Sequence, residues 1–301
     1  MKKGRDTDNL RLEIWRRYVN CMSKLTNHVK DRIISKKSIL CIGLDPVLPN
    51  IRDKYVIPEK YLKYSSESDI MLNFCLDIID FTSDYAVAYK VNLNYVFDFT
   101  KNYHKKLVDY IHKHDCIAIL DLKFNDIEDT AYVAIHHIAE CNYDIITFNP
   151  LLGNLCNIVK ICKDVGIKIR NVEVGVLSLV LTSNPDAVKY QKYVKMSEKP
   201  LYVLFTEEVK RCDALGCVVG ATGHVTSEDI KTIRNIIGDD KIILFPGIGV
   251  QGGDIEKVVK NGGKLILINV GRDIIYSENP REKARQYLEM LRKYYNFNEL
   301  F

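Results

Sequence analysis

Two carboxylates and an ammonium fall within the short stretch Asp121-Leu122-Lys123-Phe124-Asn125-Asp126, directly after the apolar run Cys116-Ile117-Ala118-Ile119-Leu120. Alternate side chains of a β-strand share a face, so Asp121 and Lys123 are expected to point one way and Leu120 and Leu122 the other. Asp126 falls just past the strand's C-terminal end. One reading is a structural ion pair at a strand end. The other is a functional site in which the clustered charges take part in chemistry. Spacing alone leaves both open, and the residues at the other strand ends must decide.

Apolar runs with strand character occur at Ser38–Leu44, Ala86–Asn92, Cys116–Lys123, Asp144–Phe148, Val172–Leu181, Cys217–Ala221, Lys241–Phe245 and Lys264–Val270. Helical patterns fall between them, at Asp69–Phe81, Asn102–His114, Thr130–Glu140, Leu155–Val165, Pro200–Leu215, Thr226–Ile237 and Asp254–Asn261, and Arg281–Tyr294 closes the chain. Alternation of this kind implies parallel strands with right-handed crossovers, and eight units are what a closed (β/α)8 TIM barrel requires. A doubly wound open sheet is the main competitor. Leu10 to about Ser35 mixes apolar and charged residues as an amphipathic helix or helix pair does. The expected organisation is an N-terminal helical extension over 1–37 and an α/β barrel domain over 38–301. The polar stretch Pro46–Ser68, with its three prolines, reads as a long loop holding at most a short helix.

Polar residues collect at the C-terminal ends of these strands. They are Gly43-Leu44-Asp45-Pro46, Lys90-Val91-Asn92, the Asp121–Asp126 group, Thr182-Ser183-Asn184-Pro185, Pro246-Gly247-Ile248-Gly249-Val250-Gln251-Gly252-Gly253 and Gly271-Arg272-Asp273. Strand ends of one barrel surround one mouth, where barrel active sites lie. A structural ion pair does not predict that gathering. The glycines after strand seven let backbone N–H groups approach an anion, and Arg272 offers paired donors to a phosphate. Gly247 to Gly252 also fits the dinucleotide pattern GxGxxG, with Asp273 as a ribose carboxylate. That reading is disfavoured by the late position in the chain, by the proline that opens the turn and by the Gly-Arg that ends the next strand.

The composition excludes several classes. Hydrophobic residues are 47% and charged residues 27% of the 301, an ordinary globular balance. A net charge of +4 gives no reason to invoke a nucleic acid polymer or a membrane surface. No run approaches the roughly 18 apolar residues of a membrane span, and the charged N-terminus leads into no signal segment. Nine cysteines without a C-x-x-C pair read as reduced, buried thiols of a cytoplasmic protein, with neither a disulfide nor a zinc framework. The histidines at 112, 114, 136 and 137 read as surface or helix residues, and no metal site is expected.

Asp121-x-Lys123-x-x-Asp126-Ile127-x-x-Thr130 resembles the signature of the orotidine 5'-monophosphate decarboxylase family, and the other strand-end motifs stand in that family's order. The likeness runs from about residue 38 to the end. The long loop after strand one and the N-terminal extension are similar to the apicomplexan parasite form. The resemblance implies a homodimeric barrel that converts orotidine 5'-monophosphate (OMP) to UMP and CO2, the last step of UMP biosynthesis, without cofactor or metal. By position, Lys90, Asp121, Lys123 and Asp126 would form the charged array at the reacting carbon. Lys123 would stabilise and protonate the C6 carbanion. Asp45, Lys90 and Thr130 would bind ribose hydroxyls, and Thr182 and Ser183 would cover and read the pyrimidine. Pro246, Gln251, Gly271 and Arg272 would hold the phosphate, and Asn92 would stand behind the residues that touch the substrate. Asp126, Ile127 and Thr130 would serve the partner's site. Where many relatives have glycine after the Asp-Ile pair, this chain has Glu128-Asp129, which puts the local geometry of the subunit contact in question. An orotate phosphoribosyltransferase would be a separate partner. The rival readings are a magnesium-dependent sugar-phosphate decarboxylase of the same superfamily and a catalytically silent nucleotide-binding protein.

Overall fold

The computed structural model describes residues 25–249 and 255–300. Part of the expected N-terminal helix and the segment holding Gln251, Gly252 and Gly253 lie outside the described residues. Eight parallel strands close into one barrel. They are β1 (Leu40–Leu44), β2 (Ala88–Asn92), β3 (Ile117–Phe124), β4 (Ile145–Phe148), β5 (Gly175–Leu181), β6 (Gly216–Val219), β7 (Ile242–Pro246) and β8 (Ile266–Val270). Order around the barrel follows the chain, and β1 pairs with β8 to shut it. The open-sheet alternative is therefore excluded.

Strand residues are almost wholly buried, because the barrel interior takes one face of each strand and the outer helices take the other. The outer layer comprises α1 (residues 25–36), α2 (Glu67–Thr82), α3 (Lys101–Lys113), α4 (Glu128–Glu140), α5 (Leu155–Arg170), α6 (Leu201–Arg211), α7 (Ser227–Ile237), α8 (Ile255–Asn261) and α9 (Pro280–Tyr294). Local chemistry sets several helix starts. Ser66 accepts from Asp69 N at the head of α2, Thr226 and Asp229 form a capping box on α7, and Asn279 caps α9 ahead of a proline in its first turn. Asn171, at φ 60°, ends α5.

Helix α1 belongs to the same core. Leu25, Val29 and Ile33, spaced along one face, are at most 2% exposed. Lys36 donates through Nζ to the carbonyls of Ser83, Ala86 and His114 at 2.9–3.1 Å. These carbonyls lie at the ends of α2 and α3, where intrahelical partners run out. The ammonium therefore ties this helix to the N-terminal end of the barrel and leaves the opposite mouth free.

One expectation about the cysteines is overturned. Cys156 on α5 and Cys212 at the end of α6 form a disulfide across a separation of 56 residues. Sequence spacing could not show this pair, since only the packing of successive outer helices brings the two together. Six other cysteines are free and buried. Among the described residues, Cys156, Cys212 and Glu208 are also the one group of three potential metal ligands in reach of one another, and its two sulfurs are bonded together. No described helix is long and apolar enough to cross a membrane.

His104 on α3 is buried, with Nδ1 2.9 Å from the Tyr143 hydroxyl and the Phe99 ring edge-on. Burial lowers its pKa to about 4. Between the ordinary imidazole value of about 6.5 and that value, the unfolded chain binds a proton that the folded chain refuses. This contribution to stability is complete above pH ~6.5 and is lost as the pH falls through about 4. Burial raises the Glu173 carboxyl to about 7, and that group works in the opposite sense, losing its contribution as pH rises toward 7. The difference between two proteins isolates His104. Denaturant unfolding from pH 7 to pH 4 should show a shallower loss of stability in His104→Gln than in the parent. Parallel curves would refute the assignment.

Candidate active site

Register across the barrel wall assembles the charged group. Lys90 on β2 pairs with Ile119 on β3, so Asp121, two residues further on and on the same face, is its diagonal neighbour. Lys90 Nζ lies 2.5 Å from Asp121 Oδ2, with side-chain exposures of only 7% and 11%. Asp121 Oδ1 receives a second ammonium, Lys123 Nζ, at 2.9 Å, and the Thr147 hydroxyl at 2.9 Å. Burial by itself would raise the Asp121 carboxyl. The charges of Lys90 and Lys123 outweigh it and hold the group far below the usual carboxylate range. Burial likewise works against the charge on Lys90, but Asp121, and then Asp45, push its pKa above the ordinary lysine value. The side chain of Lys123 is 48% exposed, unlike the other two, so its ammonium is accessible to a ligand.

Simple alternation along β3 does not produce this arrangement. Leu120 pairs with Ile146 and Phe124 with Phe148, so four steps of β3 oppose two of β4. Lys123 sits within that bulge at φ 50°, the left-handed region that a side chain makes unfavourable. Its N–H leaves the strand ladder and donates to Thr147 Oγ1 at 2.9 Å. Thr147 thus holds both the backbone of Lys123 and the carboxylate of Asp121. Sequence reasoning missed it, although a lone hydroxyl within Ile145-Ile146-Thr147-Phe148 was a usable signal.

A cavity of about 160 Å³ adjoins Lys90 and is lined by Asp45, Pro246, Gly247, Ile248, Asn269, Gly271, Arg272 and Asp273. Gly247 and Gly249 stand at φ 97° and 95°, which only glycine adopts without strain, so the turn after β7 depends on them. Asp45 Oδ1 is buried without a hydrogen-bond partner. Tyr276 fixes the backbone beside it, donating to Asp45 O at 2.7 Å and accepting from Val47 N at 2.8 Å. The Arg272 guanidinium lies 5.8 Å from the centroid of the Tyr55 ring, and Arg52 lies 6.0 Å from the same ring. Asp273, the acid of the dinucleotide reading, is taken by the Tyr287 hydroxyl at 2.5 Å and Lys283 at 3.2 Å. Asn269 is a second residue missed from sequence, a single polar position in the apolar strand β8.

The other expected residues divide into two groups. Thr182 and Ser183 are half-buried at the end of β5. Asn92 accepts from Asn94 N at 3.2 Å and caps the turn after β2. Asp126 is not brought to the lysines: Oδ1 accepts from Ile127 N at 2.8 Å, and no ion pair to it occurs among the described residues. Ile127 is 65% exposed, and Thr130 is exposed on the first turn of α4. Gln251 lies outside the described residues.

The mouth of the closed barrel thus joins a buried lysine–carboxylate array to an arginine-and-glycine pocket, the layout of a (β/α)8 enzyme site. Residues 38–287 match the sequence model of the orotidine 5'-phosphate decarboxylase / HUMPS family, and the chain belongs to that family. It is 33% identical over 259 residues to the orotidine 5'-phosphate decarboxylase of Cupriavidus taiwanensis, covering 82% of this chain and 87% of that one. The Clostridium novyi enzyme of the same name is 31% identical over 271 residues, covering 84% and 89%. Among solved structures, the orotidine 5'-monophosphate decarboxylase of Plasmodium berghei superposes with a TM-score of 0.72 at 25% identity, over 91% of this chain and 99% of that one. The chain is thus an OMP decarboxylase acting in pyrimidine biosynthesis, and the sugar-phosphate alternative is not favoured.

Thr147→Val would remove one hydrogen bond from Asp121 and one from the Lys123 backbone. At about 1 kcal/mol for each bond, about 2 kcal/mol together, kcat should fall roughly thirtyfold with KM little changed. Steady-state kinetics with an unaltered kcat would show that Thr147 does not hold the array.

Proposed function

We propose that Lys123 is the group that stabilises and protonates C6 of the nucleotide. One observation carries this: a single buried carboxylate, Asp121, holds two ammonium groups, of which only Lys123 is half-exposed. The C6–carboxylate bond breaks, CO2 departs, and the electron pair remains on C6, where no adjacent ring carbonyl can delocalise it. The Lys123 ammonium lowers the energy of that charge and gives C6 its proton, yielding UMP and a neutral amine that solvent reprotonates. Asp121 sits beside the departing carboxylate and fixes Lys123. No cofactor or metal takes part in this scheme.

Asp45, with its unpartnered buried oxygen, accepts from a ribose hydroxyl, and Lys90 donates to one. Thr182 and Ser183 face the pyrimidine. Gly271, Arg272 and Gln251 hold the phosphate against Pro246, and Asn92 stands behind the residues that touch the substrate. The phosphate is remote from the bond that breaks, but its binding energy can close the site over the base. Arg272→Ala should lower kcat/KM by about tenfold to a hundredfold, since a charge-assisted hydrogen bond contributes roughly 1.5–3 kcal/mol. Unchanged kinetics with OMP would remove Arg272 from the phosphate site.

The active unit in this proposal is a homodimer in which Asp126, Ile127 and Thr130 complete the partner's site. In support, Asp126 pairs with neither lysine of its own chain, and Ile127 is an exposed apolar residue beside it. The enzyme is placed in the cytoplasm, which keeps the six described free thiols reduced and in which the Cys156–Cys212 bond is an exception, with a separate orotate phosphoribosyltransferase as a partner. Lys123→Ala and Asp126→Ala should each be folded and inactive. If sites are shared, mixing the two and allowing subunits to exchange should recover roughly a quarter of parental activity, because half the dimers then hold one intact site. No recovery after demonstrated exchange would mean that each site is built from one chain.

A further inference from the structure

We propose that Gln191 is a positioning residue for base recognition, holding the Thr182-Ser183 segment in the orientation that meets the pyrimidine. This rests on the reading of Thr182 and Ser183 as the residues that face the base. Past Leu181 the chain leaves the barrel wall, and Thr182 N–H has no strand partner. A ten-residue excursion through the short helix Ala187–Gln191 brings the Gln191 side chain back to it. Gln191 Oε1 accepts from Thr182 N at 2.8 Å and lies 3.2 Å from Thr182 Oγ1. The Thr182 hydroxyl has one proton, and Asn184 Oδ1, at 2.7 Å, is its nearer acceptor. The backbone N–H bond is therefore the contact that only Gln191 supplies.

The next residue anchors the excursion to the neighbouring strand–helix unit. Lys192 Nζ lies 2.5 Å from Asp229 Oδ2 and donates to His224 O at 2.6 Å. Asp229 is itself fixed by the capping box at the head of α7. Gln191 thus reaches Thr182 from a backbone that is already held. Ser183 is confined from the other side: a Cβ on Gly220 would come within 2.7 Å of its N and Cβ atoms. The Thr182 N–H belongs to the Leu181–Thr182 peptide, whose carbonyl accepts from Gly220 N at 2.7 Å, and the amide of Gln191 holds the other side of that unit, from which Ser183 follows.

A residue that acts through base recognition should affect ligands with a base and spare those without one. UMP and ribose 5-phosphate share the sugar and phosphate and differ in the pyrimidine. Gln191→Leu should raise the inhibition constant of UMP about tenfold and leave that of ribose 5-phosphate within about twofold. Gln191→Glu keeps the accepting oxygen and should restore most of the UMP affinity. If Gln191→Leu does not fold, Gln191→Asn, one methylene too short to reach, takes its place. Equal losses for both ligands, or no rescue by Gln191→Glu, would overturn the proposal. Ser183→Ala separates this failure from failure of the site reading. If it spares UMP, these residues do not face the base, and the proposal falls with that reading. If Ser183→Ala weakens UMP while Gln191→Leu does not, only the role of Gln191 is wrong.

Discussion

The site depends on one buried carboxylate shared between two ammonium groups. Asp121 is 11% exposed and Lys90 7%, so both have lost most of their water. Desolvation of such ions costs several kcal/mol each, and only close pairing with further hydrogen bonds offsets it. Here the offset comes from Lys90 on one oxygen, and from Lys123 and Thr147 on the other. The same arrangement that makes the burial tolerable also fixes the direction of the Lys123 ammonium. A carboxylate ionised far below neutral pH keeps that geometry across the working range.

The barrel supplies what the pair needs. Parallel strands in strict register bring Lys90 and Asp121 to diagonal positions without long loops. The bulge between β3 and β4 then lifts Lys123 out of the ladder, and the Thr147 hydroxyl replaces the lost backbone partner. A left-handed residue in a strand is unfavourable, on the order of 1–2 kcal/mol, and persists only where surrounding contacts enforce it. Here those contacts belong to the array itself. Arg272 lies over Tyr55 beside the glycine turn and lines the same cavity as Lys90.

Two features follow from assembly rather than from any one strand. Asp126 belongs to the family signature by spacing, yet its carboxylate turns to its own backbone at Ile127. Signature spacing therefore does not by itself bring Asp126 to Lys90 or Lys123 within this chain. The Cys156–Cys212 bond shows the same limit, because cysteines 56 residues apart carry no spacing signal until α5 and α6 pack side by side.

The sequence by itself determined the barrel, because eight apolar runs alternating with helical patterns leave few other ways to bury both faces of a parallel sheet. It also determined which residues gather at the mouth, since polar residues at the ends of buried strands have one place to go. Lys90, Asp121, Arg272 and Asp45 were legible for that reason. Tertiary structure alone decided how they meet. Thr147 and Asn269 matter through the strands they face, Lys123 through a bulge that alternation cannot express, and the Cys156–Cys212 bond through helix packing. Periodicity reports which face a side chain occupies. Distances across a barrel depend on register and on neighbours far away in the chain, and those are set only when the sheet closes.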